Sequence, residues 1–330
     1  MNIISGLLPV IIFLGFLIYL DSFKLVKPAT IIYCLLAGVA GSLLAFYVNT
    51  SLSVHVLVSA TFYSRYFAPF VEETIKISFL YLLIKKNKIG FMIDGAITGF
   101  AIGAGFALVE NTYYWNVLGP TSIWIWVIRG LGTAVMHGGV VATAGIVFMA
   151  YSGEKGKRKT IYYLAGFILA VAIHSLYNHF ILSPLNSAVI IFITLPVFIT
   201  IIFQKSEDSL RKWLEVEFDT EAKLIAEIRN GTFSSTKAGS YIVSIKNRFR
   251  PEIIVDIVCF VRVYLELSIR AKSVLLMKEA GFEIAKDDSV EEKLKEFSYL
   301  QKSIGKTGKL ALAPVFRFKS KDIWKINLLK

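Results

Sequence analysis

From its first residues to about residue 204 the chain is a succession of apolar runs, each close to bilayer-crossing length and separated by short polar loops. A membrane span needs about 20 mostly apolar residues. In hydrocarbon every backbone N–H and C=O must find its partner inside the protein, so continuous runs of this kind fold as helices. Spans are expected near 3–20, 29–48, 66–84, 91–111, 130–151, 160–180 and 187–204. The fold class is therefore all-α: a polytopic membrane helical bundle of about seven spans. The first run lacks a basic leader and a small-residue cleavage site, and reads as a retained span. The short stretch 51–65, with His55 and Arg65, is expected to lie on the membrane surface or re-enter it. The Trp-rich stretch 120–129 suits the interfacial belt or an extension of the fifth span.

Charge divides the 330 residues in two. Only 18% of the chain is charged, against about 25% in an ordinary soluble domain, and most of that charge follows residue 204. Residues 1–204 form the membrane domain, and 205–330 a soluble, mostly helical domain. The net charge of +12 is placed wrongly for nucleic acid. Much of it sits in clusters between spans: Lys24 and Lys27; Lys85, Lys86 and Lys88; Lys155, Lys157, Arg158 and Lys159. Such clusters mark loops on the cytosolic side and rest against anionic lipid. The opposite loops hold only Arg65 and Arg129. The N-terminus is thus expected outside and the tail in the cytosol. In the tail, 206–229 and 251–278 carry helical apolar spacing, no catalytic constellation stands out, and its plainest role is packing, regulation or binding of a partner such as a cytosolic regulator. Cys34 and Cys259 fall in different domains, so no disulfide framework is expected.

Ionisable residues inside spans are costly and usually functional. Four groups stand out. Glu72-Glu73-Thr74-Ile75-Lys76 puts Lys76 within helical reach of either glutamate, so one can pair with it while the other faces a cavity. Phe106-Ala107-Leu108-Val109-Glu110 follows Gly95, Gly99, Gly103 and Gly105, small residues that let helices approach closely. His137 stands in Met136-His137-Gly138-Gly139, and His174 shares a helix face with Asn178 in His174-Ser175-Leu176-Tyr177-Asn178. By the expected topology all four groups fall in one layer near the outer face.

Such a set suits water activation. A glutamate buried away from water is a usable general base, a histidine relays protons or ligates a metal, and Asn178 can donate to an oxyanion. Two histidines with a carboxylate also match a catalytic zinc shell, so metal-assisted and metal-free hydrolysis both stay open. Glu110, His137 and His174 are the candidate ligands. Arg129 reads as an interfacial anchor, or as the partner of Glu110. HExxH, GxSxG and GxGD patterns are absent.

In order, Glu-Glu-x-x-Lys, Phe-x-x-x-Glu, a lone His and His-x-x-x-Asn resemble the PrsW family of intramembrane proteases. That family is grouped with the type II CAAX prenyl endopeptidases and bacterial immunity-type membrane proteases. The resemblance covers roughly residues 1–204. It matches Glu72 and Glu73 to the paired glutamates, Lys76 to the following base, Phe106 and Glu110 to the second motif, His137 to the third and His174 to the fourth. Asn178 departs from the Asp common in PrsW proteins. The resemblance implies hydrolysis of a peptide bond near the outer membrane face, with membrane-anchored proteins such as anti-sigma factors as substrates. It also implies the plasma membrane of a bacterium or archaeon. Two other classes compete with a protease: a proton- or cation-coupled transporter, and a non-catalytic membrane scaffold.

Overall fold

The computed structural model describes residues 2–21, 23–119, 121–150, 157–282, 284, 287–316 and 320–329. Among these the regular structure is entirely helical. The chain falls into two compact units, Met1–Glu207 and Asp208–Lys330.

The first unit contains α1 (Asn2–Leu20), α2 (Pro28–His55), α3 (Ala68–Lys85), α4 (Met92–Leu118), α5 (Ile123–Ala150), α6 (Lys157–Asn178) and the start of α7 (Pro184–Arg229). Among the described residues, α2, α4, α5, α6 and the Pro184–Arg211 part of α7 are long and apolar enough to cross a membrane. The other two expected spans are helices in the expected places. α1 offers a shorter apolar run, Ile4–Leu20, and α3 carries Glu72, Glu73, Lys76 and Lys85. The protein is a multi-pass membrane bundle.

Several boundaries differ from expectation, each for a local reason. The stretch 51–65 is no separate segment: α2 runs to His55. A new helical run then begins at Ala60, where the Ser59 hydroxyl accepts from the Phe62 amide. Ser122 likewise caps the Trp-rich stretch, which is the first part of α5. The expected helices 187–204 and 206–229 are one, because nothing from Gln204 to Asp208 breaks a helix. Of the third basic cluster, Lys155 lies outside the described residues, whereas Lys157 to Lys159 open α6.

α4 and α5 form the centre: 83% and 78% of their spanning windows are buried, against 17% for α6 and 11% for α7. The outer helices turn Ile, Leu and Phe outward, including Ile12, Leu36, Leu176 and Phe192. In a bilayer that is the solvent-matched face. Glycines set the closest crossings. A Cβ on Gly103 of α4 would lie 2.1 Å from the His137 carbonyl oxygen, and one on Gly99 would lie 2.6 Å from that of Val141. On the other side of α4, a Cβ on Gly105 would meet the Leu35 oxygen at 2.1 Å, and one on Gly38 of α2 would meet Ile102 at 2.0 Å. Neither backbone could approach so closely with any side chain present.

The second unit packs the end of α7 with α8 (Lys237–Ile245), α9 (Pro251–Glu279), α10 (Asp288–Ser303), α11 (Gly305–Leu312) and α12 (Ser320–Leu328). Its apolar core includes Ile242, Ile257, Phe260, Leu265 and Leu312. Glu221 accepts hydrogen bonds from Ser268, Lys272 (2.8 Å) and Lys325 (3.0 Å), and both lysines are fully buried.

Candidate active site

Four helices bring their ionisable residues to one point. Glu73 and Lys76 stand one turn apart on α3, both fully buried, with Lys76 Nζ 2.6 Å from Glu73 Oε1. The same Nζ lies 2.8 Å from His137 Nδ1 on α5 and 4.3 Å above the Phe106 ring of α4. His174 Nδ1 on α6 lies 2.7 Å from Glu73 Oε1. The two imidazoles meet edge to face, 4.8 Å apart.

Glu110 forms the neighbouring wall. Its Oε2 is 2.6 Å from His137 Nε2, and its Oε1 accepts from Arg129 at 3.0 Å. Arg129 also donates to Asn111 Oδ1 at 3.0 Å, and Asn111 Nδ2 donates to the Gly6 carbonyl of α1 at 2.8 Å. The guanidinium rests on the Tyr114 ring, 4.0 Å from its centroid.

These partners assign the ring protons. An ammonium only donates, so His137 Nδ1 accepts from Lys76 and His137 Nε2 carries the proton given to Glu110. Glu73 is a carboxylate acceptor, so His174 donates from Nδ1 and turns Nε2 away from Glu73. Nε2 lies 3.9 Å from Glu72 Oε2. The distance is too long for a hydrogen bond, which leaves both atoms to serve a third group. Glu72 and Glu110 both line a cavity of about 720 Å³ between α2 and α4.

The helix entries are wound for this placement. π-helical turns, Tyr63–Phe67 and Arg129–Ala134, precede Glu72, Glu73 and Lys76 of α3 and His137 of α5. An extra residue in a turn rotates all that follows, and such turns cluster at functional sites.

The expectation that Lys76 takes one glutamate while the other faces a cavity holds, with Glu73 paired and Glu72 open. Arg129 is the partner of Glu110. Asn178 stands apart: its Nδ2 donates to the Ser64 carbonyl at 3.0 Å. Asn111 and Tyr114 went unnoticed in the sequence, although a polar residue beside Glu110 in an apolar run was a usable signal. Nothing in the sequence pointed to the α2 face of the cavity.

The residues fit a divalent metal. Glu72, His137 and His174 each offer a ligand atom, and these atoms lie within 4.8 Å of one another. Glu72 thus stands where Glu110 was expected. His174 has the arrangement of a metal-ligating histidine, its far nitrogen held by a carboxylate. Three carboxylates, Glu72, Glu73 and Glu110, face two cations, Lys76 and Arg129, and the negative excess favours an additional positive charge.

A membrane-embedded helical bundle holding two histidines and three carboxylates beside a cavity defines a membrane enzyme of the hydrolase class. The chain belongs to the PrsW family: the family model for PrsW family intramembrane metalloproteases matches residues 27–203, which include every residue named in the cluster except Gly6. The protein is an intramembrane protease, and the match does not favour a transporter. No curated protein and no solved structure matches the chain.

Proposed function

We propose that the protein is a metal-assisted endopeptidase that hydrolyses a peptide bond in a membrane-anchored protein. The observation that carries this reading is the approach of His174 Nε2 to within 3.9 Å of Glu72 Oε2, on a carboxylate that itself lines the cavity. Glu72 and His174 would hold the metal, joined by His137 once one of its ring nitrogens gives up its bond to Lys76 or Glu110, and such a His₂Glu donor set matches zinc best. When bound, the metal polarises the scissile carbonyl and makes its water a nucleophile at neutral pH.

The remaining residues position and balance. Glu73 orients His174 through Nδ1 and compensates the Lys76 charge. Lys76 fixes the His137 tautomer. Glu110, held by Arg129, receives the His137 Nε2 proton in a hydrogen bond and presents a carboxylate to the cavity, where it can accept a proton from the attacking water. Asn178 supports the Ser64 backbone, and so holds the entry to α3 rather than an oxyanion. The distribution of Lys and Arg supports a cluster near the outer face, with residues 205–330 cytosolic, and the family supports a bacterial or archaeal membrane. The resemblance supports substrates of the anti-sigma-factor kind, and the His-x-x-x-Asn motif supports kinship with the CAAX prenyl endopeptidases.

The test is co-expression of a single-span model substrate with wild type, Glu72→Ala or His174→Ala protein, with folding checked by thermal unfolding in detergent. We expect cleavage by wild type only, its loss to a chelator and its return with zinc. Cleavage by a folded His174→Ala protein would refute the assignment.

A further inference from the structure

We propose that one face of α2, marked by Ser42, Asn49 and Ser53, is the substrate-reading edge of the protease. It would receive the backbone of a substrate span that has unwound around the scissile bond. The inference rests on the reading of the cluster as a peptide-hydrolysing site, and adds what that site must be given.

A peptide bond inside a transmembrane helix is shielded by its own turn, and attack requires that turn to open. Opening frees N–H and C=O groups that hydrocarbon cannot satisfy, so the enzyme must supply partners. The cavity beside Glu72 and Glu110 has them on the wall opposite α4. α2 and α4 cross at Gly38 and Gly105, and the cavity lies C-terminal of that crossing on both helices. Ser42, Asn49 and Ser53 line it, at spacings of seven and four residues that keep them on one helical face.

Ser42 and Asn49 have capacity to spare, while the Ser53 hydroxyl donates to the Thr50 carbonyl at 2.9 Å and can only accept. The Ser42 hydroxyl has no hydrogen bond among the described residues, although the residue is buried. The Tyr63 hydroxyl lies 3.1 Å from Asn49 Oδ1 and 3.2 Å from the Asn49 carbonyl oxygen. Tyr63 thus holds the amide by its oxygen, and both Asn49 Nδ2 protons remain for another acceptor. From Ser42 to Ser53 the helix rises about 16 Å, which matches about five residues of extended chain. At the rim, Phe46 and Tyr113 pack with ring centroids 5.2 Å apart and stay 54% and 44% exposed. An apolar rim around a polar wall admits a substrate from the bilayer. The preferred substrate is therefore a span with weak helix formers, Gly or Pro, beside the cleaved bond.

The test compares wild type, Ser42→Ala, Asn49→Leu and Asn49→Gln on two substrates, one with a continuous helical span and one with Gly-Pro introduced beside the cut. On the continuous span Asn49→Leu should lower kcat/KM about tenfold, the value of one well-made hydrogen bond, and Ser42→Ala by less. On the Gly-Pro substrate both losses should shrink below about threefold, because that span opens unaided. Asn49→Gln should recover part of the activity. Equal losses on the two substrates, or no loss on either, would overturn the proposal.

A photo-crosslinking residue at position 53 supplies a readout independent of cleavage. It should capture the substrate span in wild type, and less of it in Asn49→Leu. Crosslinking that Asn49→Leu weakens, without any hydrolysis, would sink the protease assignment and leave the edge standing. Cleavage with no crosslink would do the reverse.

Discussion

Glu72 and Glu73 are neighbours in sequence, yet they meet opposite environments. Successive helical residues point about 100° apart, so packing that buries one turns the other toward the cavity. Glu73 accepts from Lys76 and His174, whereas among the described residues Glu72 has only the 3.9 Å approach of His174 Nε2. The two should therefore part company on substitution. Glu72→Gln is expected to abolish cleavage and leave thermal stability unchanged or slightly raised, because it relieves the excess negative charge of the cluster. Glu73→Gln should abolish cleavage and also cost about 3–5 kcal/mol, the penalty of leaving the Lys76 ammonium buried without its carboxylate. Thermal unfolding in detergent beside a cleavage assay checks both. Equal stability of the two variants would show that Glu73 is not the structural partner.

At the scale of elements, the site is aimed by glycine. The Gly95, Gly99 and Gly103 stripe of α4 lies against Gly145, Val141 and His137 of α5, so α5 is seated backbone to backbone. A methyl group at Gly103 must move the His137 carbonyl, which it would otherwise meet at 2.1 Å. Gly103→Ala is expected to cost about 1–3 kcal/mol as overpacking, and to lower kcat about a hundredfold by displacing the imidazole from Lys76. Gly15 of α1 is the control, since nothing lies within 4 Å of its added Cβ. Gly15→Ala should be neutral or stabilise by up to about 1 kcal/mol. Single-turnover cleavage with thermal unfolding distinguishes the two.

Taken whole, the chain joins two units stabilised by different solvents. The first exposes apolar side chains to lipid and turns the charges of its spans inward, leaving its loop lysines exposed; the second buries an apolar core and keeps most charges outside. The Glu221 cluster is the exception in the second unit, with Lys272 and Lys325 sharing one carboxylate. Glu221→Leu should destabilise that unit by about 3–5 kcal/mol. Denaturant-dependent labelling of Cys259, a half-buried thiol packed against its core, would report it. A labelling midpoint equal to that of wild type would show that the cluster adds nothing.

Much of this was legible in residue order. Bilayer length and backbone satisfaction force apolar runs of this kind into helices, so architecture follows from hydropathy alone. The charged residues in spans were conspicuous for the same reason, since each is expensive unless paired. Residue order also made the Lys76 pairing readable, because it lies within one helix. Everything that depended on helix rotation was decided by tertiary packing. Close crossings at Gly38, Gly103 and Gly105 set which faces of α2, α4 and α5 meet. Those rotations bring Glu72 near both histidines while Glu110 bonds His137, turn Asn178 to the Ser64 backbone, and bring the polar face of α2 opposite the reactive carboxylates. A sequence carries the period of a helix but not its phase against a neighbour, and that phase is what turns four separated motifs into one site.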